Sequence, residues 1–254
     1  MDDVKRIFRE WREELEERFE TLNARIEARF ARRSNPDEIF RQLPEPSDRL
    51  QKPLRELMAS RRSERRFSNE PLPDPVLADL LWAADGVRQD GRTTPSSFDW
   101  RETEIYVLKS NGIWRWVPER RGLLFCALHD IRHVAAYMQP AMTLPPVQIV
   151  YVSNLAKTRT KVSELAERMM LKFDKDLWNE AAIEELRLRN THLNVGIKIE
   201  AVALAAQALG LAACARTLFP VQQLNAALHL GPDEQAVAVQ SIGYRARSLL
   251  DHIR

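Results

Sequence analysis

The 254-residue chain is 44% hydrophobic with no low-complexity tract, enough to bury one core and carry an appendage. Its 38 Lys and Arg stand against 36 Asp and Glu, so the net charge of +2 gives no field suited to nucleic acid as a main partner. The charged start MDDVKRIF, and no apolar run near the roughly 18 residues of a span, speak against a signal peptide and a membrane helix and leave the cytoplasm as the expected location.

From Val4 the apolar residues Ile7, Phe8, Trp11, Leu15, Phe19, Leu22, Ile26 and Phe30 recur every three or four positions. They draw one stripe down a long helix whose acidic start and basic end suit the helix dipole, and Pro36 stops it. The stripe at residues 4–30 is expected to meet a second copy of the chain, its own domain or a protein partner. The mixed Glu and Arg of its polar face make a membrane surface the poorer fit. LPEPSDRLQKP, Leu43 to Pro53, reads as a linker, so residues 1–50 form an arm and linker and residues 51–254 the main domain.

PLRELMASRRS resumes helical spacing, and a further helix opens at Asp74-Pro75 and closes near Gly86. ETEIYVLKSNGIWRWVP alternates apolar and polar residues on either side of Asn111-Gly112, which predicts two antiparallel strands with a tight turn. LLFCALHDIRHVAAYM reads as a helix, PPVQIVYVSN as a short buried strand, and Lys161 to Leu188 as one or two helices of mixed charge. VGIKIEAVALAAQALGLAACA is the most apolar helix and should be central, and QAVAVQSIGY supplies the last strand. The expected class is α+β, an antiparallel-rich sheet of about four to five strands flanked by helices.

Cys126 and Cys214 arrive in apolar settings and read as buried thiols. His129 and His133, four apart, fit one helix face but make no HExxH-like set, so no metal is expected. The chemistry is concentrated in RRSERRF, Arg61 to Phe67. By itself the stretch is either a solvated helix end or an anion site, since Arg presents a planar fork of donors that suits phosphate or carboxylate.

Three more pieces follow it in order: TTPSSFDWRETEIYVL, NVGIKIEAVALAAQALGLAACA and VQSIGYRAR. Together, from about Leu54 to the C-terminus, they resemble the nitroreductase family of flavin enzymes. The resemblance implies a homodimer with FMN at the subunit interface. Matched by position, Arg61, Arg62 and Ser63 would hold the phosphate and ribityl end, and Arg65 would reach the N1–O2 edge of the flavin, where a cation steadies the charge of the reduced ring. Pro95, Ser96 and Ser97 match a loop that approaches the ring from the other subunit. Asp99 stands where many relatives have Asn, and an ionised Asp accepts but cannot donate. Ala212 and Ala213 would present backbone N–H groups to flavin N5 and O4, while Arg245 and Arg247 fall where a second cation meets the phosphate. Glu200 occupies a position where Gln is frequent, and Ala201 one where Asn is.

The activity implied is hydride transfer from NADH or NADPH through flavin N5 to a small organic acceptor, a nitroaromatic or quinone, by ping-pong. An alternative is oxidation of a peptide-derived substrate, since RTTPSSF with GIWRWVP looks closer to the SagB-type dehydrogenase branch that acts in modified-peptide pathways. Tyr106, Tyr151, Lys157, Lys161 and Lys172 are the candidate bases for that direction. Two other readings remain: a non-catalytic scaffold recruited through residues 4–30, and an arginine patch for nucleic acid with steep salt dependence.

Overall fold

The run VQIVYV lacks the polar alternation of a half-exposed strand, and Val147–Asn154 (β7) is indeed covered on both faces. The computed structural model that shows this describes residues 39–136, 144–158 and 179–246. The chain divides into two compact units, Met1–Ile39 and Phe40–Arg254. The apolar stripe at residues 4–30, Lys161, Lys172 and Arg247 lie outside the described residues.

In the second unit the strands Phe40–Gln42 (β1), Thr103–Lys109 (β4), Gly112–Val117 (β5), Gly122–Ala127 (β6), β7, Ala212–Arg216 (β8) and Glu234–Gly243 (β9) form one sheet, in the order β1-β6-β5-β4-β7-β9-β8. Every neighbouring pair is antiparallel. A separate two-stranded ribbon joins Val87–Arg88 (β2) to Gly91–Arg92 (β3). The α+β class with a large antiparallel sheet flanked by helices is therefore as expected, with seven strands in place of four or five.

Alternate side chains point to opposite faces. Ile105, Val107, Ile149, Tyr151, Ala238 and Ile242 meet Leu77, Leu80 and Leu81 of the helix Asp74–Asp85 (α2), and Val202, Ala205 and Ala206 of the helix Glu180–Ala208 (α4). On the other face Tyr106, Leu108, Val150, Val152 and Val239 meet Ile131 and Ala135 around the short helix Arg132–Ala135 (α3), and Leu224 of the helix Val221–Ala227 (α5). The helix Leu54–Ser60 (α1) buries only Leu57. At 1.5 Å per residue, the 29 residues of α4 span about 44 Å. Asn179 caps its start by accepting from the Ala182 N–H at 3.0 Å, and Gly210, at φ +73°, turns the chain away from its end.

Four expectations change. LLFCAL does not begin a helix: it is β6, paired with β5 from Val117↔Gly122 to Trp114↔Phe125, with Trp114 and Phe125 edge to face at 5.1 Å. A short apolar run cannot be assigned by period alone, and pairing decided it. Cys126, as a result, is exposed on β6, whereas Cys214 is buried. In the β4–β5 hairpin the turn sits on Ser110 and Asn111, with Lys109 opposite Gly112, and Gly112 alone takes a positive φ, +131°. His129 precedes α3 and meets the His229 ring at 5.9 Å, so it shares no helix face with His133.

Candidate functional site

The helix α1 ends at Ser60, and the next residues leave it extended, since Arg61 has φ −59° and ψ 130°. This extended stretch runs along the free edge of β8. Ser63 pairs with Ala213 in a parallel bridge, and Glu64 N–H donates to Ala213 O at 3.0 Å. Farther along, Phe67 pairs with Arg245, Ser68 N–H donates to Tyr244 O at 2.9 Å and Ala246 N–H to Arg66 O at 3.2 Å. Phe67 is fully buried against Ala212 and Cys214. Its ring thus anchors a strip whose arginines Arg62, Arg65 and Arg66 stay exposed. The candidates Arg61, Arg62, Ser63, Arg65, Ala212, Ala213 and Arg245 are brought together at this edge.

The end of α4 closes the group. Gln207 donates to Ser60 Oγ at 3.0 Å and accepts from Arg245 Nη2 at 3.3 Å, while Glu200 lies 3.5 Å from Arg61 Nε. Glu64 Oε1 takes the backbone N–H groups of Arg65 and Arg66 at 2.9 and 3.1 Å. The arginines at 61, 62, 65, 66 and 245 against the two glutamates at 64 and 200 leave three net positive charges. The strand beside them carries the small side chains Ala212, Ala213 and Ala215, and a Cβ at Gly210 would meet nothing within 4 Å. A donor-rich, open cradle with small walls suits a phosphate-bearing flat ring.

Behind the cradle lies Arg216, which none of the motifs read from the sequence includes. Its guanidinium is buried, donates to Ser241 Oγ and, at 3.5 Å, to Ala135 O, and leaves Nε without a partner. Burial lowers its pKa and Arg65 nearby lowers it further, against the opposing pull of Cys214. Among the described residues no carboxylate is paired with it, so its charge adds to the positive field at this edge. A lone charge in the strand AACAR was the available signal.

Pro95, Ser96, Ser97 and Asp99 lie elsewhere, beside the middle of α4. Asn194 Oδ1 accepts both the backbone N–H and the hydroxyl of Ser97 at 3.0 Å, and its Nδ2 donates to Glu102 Oε1 at 3.0 Å. One turn on, the buried Lys198 donates to Thr94 Oγ1 at 3.0 Å, Asp85 Oδ1 at 2.8 Å and Ala84 O at 3.4 Å. The i, i+4 spacing puts both residues on one helix face. Two polar residues on the buried stripe of an apolar helix therefore pin this loop, a role the sequence reading missed. Ser96 Oγ accepts from the Arg101 N–H at 2.9 Å, and Asp99 is paired with Arg101 Nε at 2.7 Å. Phe98, Asp99 and Arg101 all take φ between +52° and +53°, which leaves the Phe98 side chain 56% exposed.

Of the candidate bases, Tyr151 is fully buried and donates to Gln240 at 2.6 Å, and burial pushes the hydroxyls of Tyr106 and Tyr151 far up. Neither can take a proton from a substrate near neutral pH. Lys157 is bound to Glu104 at 2.7 Å, on another part of the surface. Among the described residues no group of three or more metal-ligating side chains occurs, and no helix is long and apolar enough to cross a membrane.

An antiparallel sheet thus lies between helix layers, with an arginine-rich edge beside small residues that suits an anionic small molecule. The nitroreductase family model matches residues 58–244, well over half of the chain, and the protein belongs to that family. A provisionally named nitroreductase of Methanocaldococcus jannaschii is 27% identical over 116 residues, 41% of this chain. The chain spans 59% of the length of that curated relative. The crystal structure of a Ralstonia eutropha protein, also provisionally named a nitroreductase, superimposes with a TM-score of 0.68 at 28% identity, over 82% of this chain and 90% of that one. A chain of the E. coli microcin synthetase McbBCD complex, with a truncated pro-microcin bound, shares the fold alone: TM-score 0.57 at 14% identity, over 75% of this chain and 73% of that one. The nitroreductase family is typically flavin-dependent.

Proposed function

We propose that the protein is a cytoplasmic, homodimeric FMN-dependent oxidoreductase that takes electrons from NADH or NADPH and passes them to a small organic acceptor such as a nitroaromatic or quinone. FMN, when bound, supplies the two-electron carrier, with N5 as the atom that accepts and returns hydride. The chain's own residues bind and orient. Arg61, Arg62, Ser63 and Arg245 hold the phosphate through charge-assisted hydrogen bonds, with Arg247 as a further candidate from the C-terminal stretch. Arg65 supplies a cation to the pyrimidine edge, and the backbone at Ala212 and Ala213 positions the reacting face. An open edge with small walls lets donor and acceptor take turns, which is ping-pong, and leaves acceptor choice broad.

The observation that carries this reading is the Ser63–Ala213 bridge with its companion Phe67–Arg245, which brings three separate motifs to one donor-rich edge. A distance within the chain supports the dimer. Asn194, which holds the Pro95–Ser97 loop, and Gln207, beside the arginines, are thirteen residues apart on α4, about 20 Å. In this reading a second copy brings its loop, with Asp99 held by Arg101, to the first copy's cradle. Residues before Phe40 are an addition to this catalytic body, available for the dimer or a protein partner.

The test is direct. Protein purified from cells and supplied with FMN should be yellow with a flavin absorbance band, run as a dimer, and oxidise NADH or NADPH with menadione or nitrofurazone as acceptor. A colourless chain that FMN does not load would overturn the reading and favour a scaffold.

A further inference from the structure

Phe98 sits in the loop that Asn194 pins, yet its ring takes no part in the contacts that pin it. It is 56% exposed, between Ser97, tied to α4, and Trp100, which is 3% exposed. Its backbone takes φ 53° and ψ 20°, and Asp99 and Arg101 follow at φ 52° and 53°. A left-handed conformation is disfavoured for a residue with a bulky side chain and persists only where surrounding contacts hold it.

Those contacts are present. Asp99 N–H donates to Ser96 O at 2.9 Å, Trp100 N–H to Ser97 O at 3.1 Å and Arg101 N–H to Ser96 Oγ at 2.9 Å. Ser97 is itself bound twice by the buried Asn194 Oδ1. The turn thus holds an apolar ring out in water at a position where Gly would make the same bend without strain. The ring is also braced. Its centroid lies 5.2 Å from that of Trp100 with the planes 29° apart, so the buried indole backs one side of Phe98 and the other is left to solvent. An aromatic face fixed in advance on a pinned loop loses little freedom when a flat ring stacks on it.

We propose that Phe98 is a specificity-determining residue for the electron acceptor: its open face stacks on a flat aromatic ring and so favours planar ring acceptors over acceptors without one. This rests on the reading given above, in which the loop of one copy reaches the cradle of the other, since that is what brings Phe98 beside the substrate. Pro95, Ser96 and Ser97 are small enough for close approach to the cofactor. The residue next in line offers the ring that those three lack.

Benzamide and cyclohexanecarboxamide are neutral, are not electron acceptors, share a polar handle and differ in the ring. Each is titrated into the full chain loaded with FMN, with binding read from the shift of the flavin absorbance band. Benzamide should bind the more tightly, although the saturated ring is the more apolar. A flavin face also favours a flat ring, so the deciding quantity is the change in that preference on substitution. Phe98→Leu keeps apolar bulk, removes the π face and should cut the preference about fivefold, as loss of one stacking contact requires, whereas Phe98→Tyr should keep it. Both variants should match the parent in FMN content and in dimer size on gel filtration. A preference unchanged in Phe98→Leu, or no saturable binding of benzamide to the loaded parent, overturns the proposal and leaves the flavin reading standing. Loss of the dimer in Phe98→Leu overturns it as well, by making the ring an interface contact. A parent that takes up no FMN overturns both. Should Phe98→Leu fail to fold, Phe98→Gly, which fits a positive φ, replaces it and must show the same loss of preference.

Discussion

Ser63 lies beside Ala213 in an isolated parallel bridge, although 150 residues separate them, and this contact puts the arginine stretch against β8. Arg61 is only half buried, and the strip is anchored by the buried Phe67 two residues beyond Arg65. Arg61→Ala should therefore leave the fold intact and weaken FMN about 10- to 100-fold, the range of a lost charge-assisted hydrogen bond. The ratio of flavin to protein absorbance after gel filtration, with circular dichroism as the control for folding, reads both. Full retention of FMN by the folded variant removes Arg61 from the phosphate site.

If Arg61 holds the FMN phosphate as proposed, Glu200 competes for it. It sits 3.5 Å from Arg61 Nε, with side-chain exposures of 54% and 37%. A pair this long and this wet contributes under about 1 kcal/mol, so Glu200→Gln should leave stability unchanged and tighten FMN by no more than about fivefold. Fluorescence titration of FMN at low and high salt would show the gain at low salt and lose it at high salt. A variant that binds FMN more weakly would mean that Glu200 orders Arg61 and does not compete for it.

Several elements could be read from residue pattern because their cause is local. The start at Asp74-Pro75, the alternation of Thr103–Val117 and the apolar run of β7 each carry their own signal. The strands β6 and β8 do not. GLLFCA and AACAR are short, and AACAR has little β propensity, so each becomes a strand because a neighbour pairs with it, β5 with one and β9 with the other. The candidate site divides in the same way. Chemistry-bearing residues such as Arg61 stood out by type and order, whereas Asn194, Lys198 and Arg216 matter through buried partners that only the tertiary structure names.

The segment after Phe40 is fastened to the main body by more than its strand. The carboxylate of Asp79, fully buried in α2, accepts from the Ser47 N–H at 2.6 Å, the Ser47 hydroxyl at 2.8 Å and Arg49 Nη2 at 2.9 Å. Phe40–Gln42 adds the sheet pairing with β6. Removing residues 1–36 should therefore change the stability of the body by less than about 1 kcal/mol and spare FMN, while Asp79→Ala in the full chain should cost about 2–3 kcal/mol by stranding buried donors. Urea melts of both proteins separate the two effects. A truncated chain that no longer folds would show that the first unit is part of the body's core.

Glu104 gives the fold an acid-sensitive joint. Burial works against its charge, but Lys157, Arg115 and the Asn154 amide outweigh burial and hold its carboxyl below the ordinary glutamate value of 4.5. The unfolded chain thus takes up this proton first as pH falls. The stabilisation is fully present above about pH 4.5 and is lost as pH drops through the lower folded value. Glu104→Gln should cost about 1–3 kcal/mol near neutrality, where it leaves two cations without their shared partner, and should lose less than the parent between about pH 5 and pH 3. Urea midpoints across that range measure the difference. Parallel acid limbs in parent and variant would show that other carboxylates set the acid stability and that Glu104 is not held charged by its neighbours.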